Sequence, residues 1–272
     1  MPVLCDYHLH SHHSGDSSES MEAIVLAAIE KGLKYICFTE HNDYGYPAEN
    51  GDDPETFVLN VDSYLYELLA LKEKYQDQIE ISFGLEIGLS PENIRKNAIL
   101  AREHEYDFII ASTHFESGID PYYGNYYTGR TDVEANRAYF GATVQNVKAM
   151  QNFDVVGHLD YVMRYAPNPQ SYNPSDYMDI WENLFEFLLE NEKGIELNTG
   201  GLRSSFGSIH PAVPVIKRYR EMGGELITIG SDAHKAADVG YALSEATDVL
   251  KELGFKYYSV YQNRIAEYKK IL

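Results

Sequence analysis

Six of the ten histidines, His8, His10, His41, His114, His158 and His234, fall at or just past the C-terminal end of a short apolar run that reads as a strand. Glu86, in GLEIG, and Asp232, in GSDAH, hold equivalent places. His8 and His10 are two apart, so on a strand they share a face; Asp232 and His234 repeat that spacing near the other end of the chain. Asp16 follows His10 by six residues, in the stretch leading to the first helix-like segment. A single histidine at a strand end is ordinarily a hydrogen-bonded loop or core residue, and Glu86 and Asp232 would be costly to bury unpaired. Eight such residues at strand ends point instead to metal. Imidazole mixed with carboxylate suits zinc, iron or manganese, and the absence of cysteine argues against a closed structural zinc site. Counting Asp16, nine candidate ligands are too many for one ion; they fit two or three, with Glu86 able to bridge. Clustered divalent ions lower the pKa of a bound water toward about 7 and neutralise charge on a phosphoryl group.

The elements that must position these residues alternate. Segments 3–10, 35–41, 79–89, 108–115, 155–160, 195–199 and 226–231 are short, rich in Ile, Val and Phe, and flanked by Gly, Asp or Ser, as strands are. Helix-like segments lie between them, near 21–31, 62–76, 91–104, 132–150, 175–193 and 211–222. Ser90-Pro91 offers a helix start, and Gly32 and Gly194 sit where helices stop. A helix near 242–253, a weak strand near 257–261 and a terminal helix complete the expectation. Alternating strands and helices predict right-handed βαβ units on a parallel sheet. Without a linker tract, an internal repeat or a glycine-rich turn after the first strand, the pattern favours an α/β fold of one domain over 1–272, a distorted (β/α)7 TIM-like barrel. Its strand ends would converge on one face, where barrel active sites are built. Segments 43–60 and 116–131 are the candidate loops over that face.

Bulk composition bounds the partners. The chain has 272 residues, 44% hydrophobic and 24% charged, enough to bury a full core. No run approaches the roughly 20 apolar residues of a membrane helix. The start, MPVLCDYHLH, has no signal-peptide pattern, and Cys5 and Cys37 read as buried free thiols; the expected location is the cytoplasm. A formal charge of −20 repels polyanions, so nucleic acid and anionic membranes are not expected partners. A small phosphorylated substrate remains compatible where bound cations invert the local potential. The composition permits a monomer or a small homo-oligomer.

The motifs HLH at 8–10, TEH at 39–41, GLE at 84–86, STH at 112–114, GHLD at 157–160 and SDAH at 231–234 together resemble, in order, those of the polymerase-and-histidinol-phosphatase (PHP) metallohydrolases. The resemblance implies a distorted (β/α)7 barrel with a trinuclear site. It implies one ion on His8, His10, Glu86 and Asp232, a second on Glu86, His114 and His158, and a third on Asp16, His41 and His234. The position of the family's third-metal ligand in this loop favours Asp16 over His12 or His13. His104 reads as solvated surface and His210 as structural.

The expected reaction is hydrolysis of a phosphomonoester by a hydroxide that bridges two ions and attacks phosphorus. Asp232, His234 and His41 form the catalytic set. Asp232 and His234 would manage protons, and the sequence leaves open which removes one and which delivers it. Arg164 and Arg203, beyond strand ends on the same face, are candidate phosphate ligands, since arginine forks match phosphate oxygens. GHLDYVMRY, ELNTGGLR and FTEHNDY resemble the histidinol-phosphate phosphatase branch of the family, which implies L-histidinol phosphate as substrate and a place in histidine biosynthesis. Glu116 is a candidate partner for the substrate's cationic end. The tyrosine-rich run after His114 matches no branch firmly, leaving a nucleotide, a sugar phosphate, phosphotyrosine or a non-catalytic metal module as alternatives.

Overall fold

Seven strands with helices between them emerge in the computed structural model, which describes residues 3–49 and 53–271. The strands are β1 (Cys5–Leu9), β2 (Tyr35–Asn42), β3 (Glu80–Gly88), β4 (Phe108–Ser112), β5 (Val155–Val156), β6 (Gly194–Asn198) and β7 (Ile227–Gly230). All pair in parallel and their order in the sheet is their order in the chain. The helices are α1 (Met21–Glu30), α2 (Val61–Tyr75), α3 (Ile94–Glu103), α4 (Asp132–Ala149), α5 (Met178–Glu190), α6 (Val213–Glu221) and α7 (Leu243–Glu252). The first six lie between successive strands, as βαβ units require, and α7 follows the last. Their starts follow local chemistry. The Ser20 side chain accepts the Ala23 N–H at α1, and Thr131 and Glu134 form a reciprocal capping box at α4.

The sheet curls until β1 meets β7, and the closure is confined to the C-terminal rim. The Asp232 N–H donates to His8 O at 2.9 Å and the His10 N–H to Ala233 O at 3.0 Å. The buried Asp6 carboxylate completes the seam, accepting from the Ser231 N–H, the Ser231 hydroxyl and the Gly240 N–H. This is the (β/α)7 barrel expected from the alternation. Among the described residues no helix is long and apolar enough to cross a membrane.

One expected element is overturned. The terminal segment is not a helix but β9 (Ile265–Lys270), antiparallel to β8 (Tyr257–Gln262). Asn263 and Arg264 both take positive φ, 49° and 65°, which makes the two-residue mirror-image turn that joins hairpin strands. This hairpin caps the N-terminal end of the barrel. The Asn263 N–H donates to Asp107 Oδ1 at 3.0 Å, the Arg264 guanidinium to Asp154 Oδ2 at 2.5 Å, and Tyr261 packs on Phe108. With that end sealed, access is from the opposite rim.

Packing outside the sheet is anchored by Trp181 of α5, wholly buried, its ring centroid 4.5 Å from that of Phe140 on α4. Trp181→Ala is expected to cost about 3–5 kcal/mol through lost burial and a residual cavity. The midpoint of a denaturant titration checks this; a change under about 1 kcal/mol would mean the helix layer repacks freely.

Candidate metal centre

Glu86 is the hub. It lies on β3 beside His41 in the β2–β3 register and is fully buried. Its Oε1 lies 3.2 Å from His114 Nε2 and 3.0 Å from His158 Nε2. Its Oε2 lies 3.2 Å from His8 Nε2, 3.5 Å from His10 Nε2 and 3.0 Å from His41 Nδ1. Five imidazoles therefore converge on one carboxylate from four different strand ends. Asp232 Oδ1 stands 3.8 Å from His8 Nε2 and 3.6 Å from His10 Nε2. On the outer side Asp16 Oδ2 is 3.1 Å from His234 Nε2 and 3.7 Å from His41 Nε2. All nine ligands expected from the sequence are thus brought together.

The donor atoms are arranged for something other than each other. His8 Nε2, His10 Nε2, His41 Nδ1, His234 Nε2 and Glu86 Oε2 are buried and make no hydrogen bond. Buried polar groups are ordinarily satisfied, so this many bare atoms facing one point needs an occupant. Groups of donor atoms lie within 4.8 Å of one another at His8–His10–Asp232, His8–Glu86–His158, His41–Glu86–His114 and His10–His41–His234. The chemistry and spacing of this set fit several divalent ions sharing Glu86.

A second layer fixes which nitrogen faces inward in His8, His10, His114 and His234. Glu196 Oε1 holds His8 Nδ1 at 2.6 Å, Asp43 Oδ1 holds His114 Nδ1 at 2.6 Å, and Asp232 O lies 3.1 Å from His234 Nδ1. Ser14 Oγ donates to Glu40, leaving its lone pairs to accept from His10 Nδ1 at 3.1 Å and from the His41 N–H at 3.0 Å. With Nδ1 engaged in each of these, Nε2 is the nitrogen turned toward the centre, where it can ligate once its proton is lost, the arrangement that metal-binding histidines use. Gly230 makes the first of these contacts possible: a Cβ there would come within 2.6 Å of Glu196 Oε1 and 2.3 Å of His8 Cβ.

The electrostatics follow from the packing. Burial alone would push the Glu86 carboxyl up, but His8, His41 and His114 hold it well below the usual carboxylate range. Burial likewise opposes ionisation of Asp232, and Arg164, His8 and His234 outweigh it. His10 goes the other way. Burial, then the neighbouring His41, His234 and His8, keep it neutral, the form that ligates. Burial also opposes the charge of His41, yet Glu86 and Asp16 push it up to about 9.

The cluster floors a cavity that opens to solvent, walled by Tyr46, Phe57, Tyr161 and Tyr165, with Asp43, Asp120 and Arg164. Segments 43–60 and 116–131 both supply wall residues, as loops over the site should; residues 50–52 lie outside the described residues. Arg164 is where the sequence placed it, its guanidinium paired with Asp232.

Two expected substrate ligands are engaged by protein groups in this structure. Arg203 does not line the cavity: its Nη2 donates to Ser231 O and Asp232 O, both at 2.9 Å, so it braces the backbone beneath Asp232. Glu116 also lies outside it, its carboxylate engaged by the Tyr126 hydroxyl and Arg130 because the chain turns back at Ile119. His12 and His13 turn away from the centre onto Glu67, as Asp16 had implied.

Sequence reasoning missed Asp43, Glu196, Asp120 and the pair Asp160–His210. Asp43 carried a usable signal, two residues beyond His41 and so on the same face. Glu196 carried another, an acid inside an otherwise apolar strand. Asp120 carried none; a loop brings it in.

A seven-stranded barrel with a multi-histidine carboxylate centre at its C-terminal rim defines a metallohydrolase architecture. The chain belongs to the PHP domain family, whose model matches residues 6–200. It is 33% identical over 252 residues to the histidinol-phosphatase of Lactococcus lactis subsp. lactis (strain IL1403), covering 92% of this chain and 91% of that one. It is 30% identical over 257 residues to a probable histidinol-phosphatase of Clostridium acetobutylicum, covering 93% and 95%. The fold superposes with a TM-score of 0.88 and 32% identity on a crystal structure of histidinol phosphate phosphatase from L. lactis complexed with zinc, L-histidinol and phosphate, covering 97% and 98% of the two chains.

Proposed function

We propose that this chain is a metal-dependent phosphomonoesterase that hydrolyses L-histidinol phosphate to L-histidinol and phosphate. The observation that carries the reading is the convergence of five imidazoles on Glu86, with Asp232 beside two of them and Arg164 lining the same cavity. The similarity over nearly the full chain to the L. lactis phosphatase supports the substrate.

His8, His10, Glu86 and Asp232 would hold one ion, Glu86, His114 and His158 a second, and Asp16, His41 and His234 a third. Divalent ions there supply a water made acidic enough to react near neutral pH, and positive charge for the phosphoryl oxygens. The protein does the rest. Arg164 offers N–H donors to a phosphate oxygen. Asp232 and His234, side by side at the cavity floor, hold and deliver the proton exchanged with the leaving oxygen. The walls of Tyr46, Phe57, Tyr161 and Tyr165 exclude water and give a flat imidazole apolar faces to lie against. Buried Asp120 supplies an acceptor for a cationic amine on the same substrate.

The test is a comparison of kcat/KM for phosphate release from L-histidinol phosphate, p-nitrophenyl phosphate, and nucleotide and sugar monophosphates. A preference of at least about 100-fold for L-histidinol phosphate is expected, since buried polar groups left unpaired by a wrong ligand discriminate strongly. A nucleotide or sugar phosphate used equally well would retire the substrate and leave the chemistry standing.

A further inference from the structure

Arg164 is useful to a phosphate only if its guanidinium is held at a fixed angle, and the structure contains a buried device for holding it. Asp160 and His210 are both fully buried, far apart in sequence, and in contact. Asp160 Oδ1 lies 2.6 Å from His210 Nδ1, and Asp160 Oδ2 accepts the Ala212 backbone N–H at 2.9 Å. The other ring nitrogen, His210 Nε2, lies 3.2 Å from Arg164 Nε.

The direction of these hydrogen bonds is forced. An arginine Nε always carries hydrogen and only donates, so His210 Nε2 must accept and cannot carry one. The ring proton then sits on Nδ1 and is donated to Asp160. Arg164 leans on His210, and His210 on Asp160. The ring has no room to tilt. Phe206 stacks on it at 5.1 Å and 20°, and a Cβ on Gly201 would fall 2.7 Å from Nε2. At the far end, the Arg164 Nη2 pairs with Asp232 and the guanidinium lies 4.9 Å from the centre of the Tyr161 ring. Among the described residues, hydrogen bonds engage Nε and Nη2 and leave Nη1 for a ligand.

We propose that His210 and Asp160 are positioning residues that fix the angle at which Arg164 meets the phosphoryl group. The proposal rests on the reading of Arg164 as a phosphate ligand. Asp160→Asn tests it with almost no change of shape. The Ala212 N–H is an immovable donor, so the new amide must turn its oxygen to it and its NH2 to His210. That forces the ring proton onto Nε2, where it opposes the Arg164 N–H. His210→Leu removes the acceptor outright. His210→Gln returns an oxygen near the place of Nε2 and serves as the rescue.

The experiment measures inhibition by inorganic phosphate, and KM and kcat for L-histidinol phosphate, on metal-loaded wild type, Arg164→Ala, Asp160→Asn, His210→Leu and His210→Gln, with melting temperature and metal content alongside. Expected is a roughly 10- to 100-fold rise in phosphate inhibition constant and KM for Asp160→Asn and His210→Leu, the size of one charge-assisted hydrogen bond. A much smaller change in kcat, unaltered metal content, and His210→Gln close to wild type complete the expectation. Should His210→Leu fail to fold, Asp160→Asn decides. If Arg164→Ala weakens phosphate binding while Asp160→Asn leaves it unchanged, the positioning role is overturned and the Arg164 reading survives. If Arg164→Ala itself leaves phosphate affinity unchanged, that reading falls and takes this one with it. A lowered melting temperature with normal phosphate affinity would assign Asp160 and His210 to stability alone.

Discussion

Asp232→Asn, loaded with metal, is expected to turn over its phosphomonoester about 10²- to 10⁴-fold more slowly than wild type, the range for loss of a positioned proton-transfer group. Asparagine isolates the charge because the backbone will accept it. Asp232 sits at φ +56°, in the left-handed region that, after glycine, asparagine and aspartate tolerate best. Its N–H is held by His8 O and its carbonyl by Arg203, so the strained conformation is imposed from both sides. The substitution removes a carboxylate that faces His8 and His10 and that pairs with Arg164. Steady-state turnover of the metal-loaded variant, with metal content measured on the same sample, gives the answer. Near-normal turnover would remove Asp232 from the proton-transfer role.

Glu86→Gln is expected to cost more in metal than in fold. Removing an outer partner of a metal-binding histidine typically weakens metal affinity about 10- to 100-fold. Glu86 is the contact shared by five imidazoles, so its loss should exceed that range and empty at least one ion position. The neutral amide also replaces one carboxylate oxygen with an NH2 group, which cannot ligate, among rings of which His8, His10 and His114 are held in orientation from behind. Elemental analysis after exhaustive dialysis reads the outcome. A full complement of metal in the variant would mean that the histidines alone bind, and that Glu86 is not the hub.

Much of this centre could be read from the chain because strands have a period of two and barrels have one functional rim. His8 and His10, or Asp232 and His234, must share a face once their segments are strands, and Glu86 and His41 follow from the same register. What escaped lies where backbone direction is set by tertiary contacts. Glu116 is two residues past His114, but the turn at Ile119 carries its carboxylate to Arg130. Arg203 lies on the right rim yet reaches down to the β7 backbone rather than into the cavity. His210 looked merely structural because its partners, Asp160 and Arg164, lie 50 and 46 residues away. The terminal segment IAEYKKIL carries no strong period, and the positive φ of Asn263 and Arg264 decides it as the second strand of a hairpin.

The proposed activity, release of phosphate from L-histidinol phosphate, requires the divalent centre. The most direct test is release of phosphate from that ester by one preparation assayed three times: as purified, after chelation and removal of the chelator, and during titration back with zinc, manganese or iron. Chelation is expected to abolish release and added metal to restore it, saturating at two or three ions per chain. Undiminished release from protein verified as metal-free would contradict that requirement.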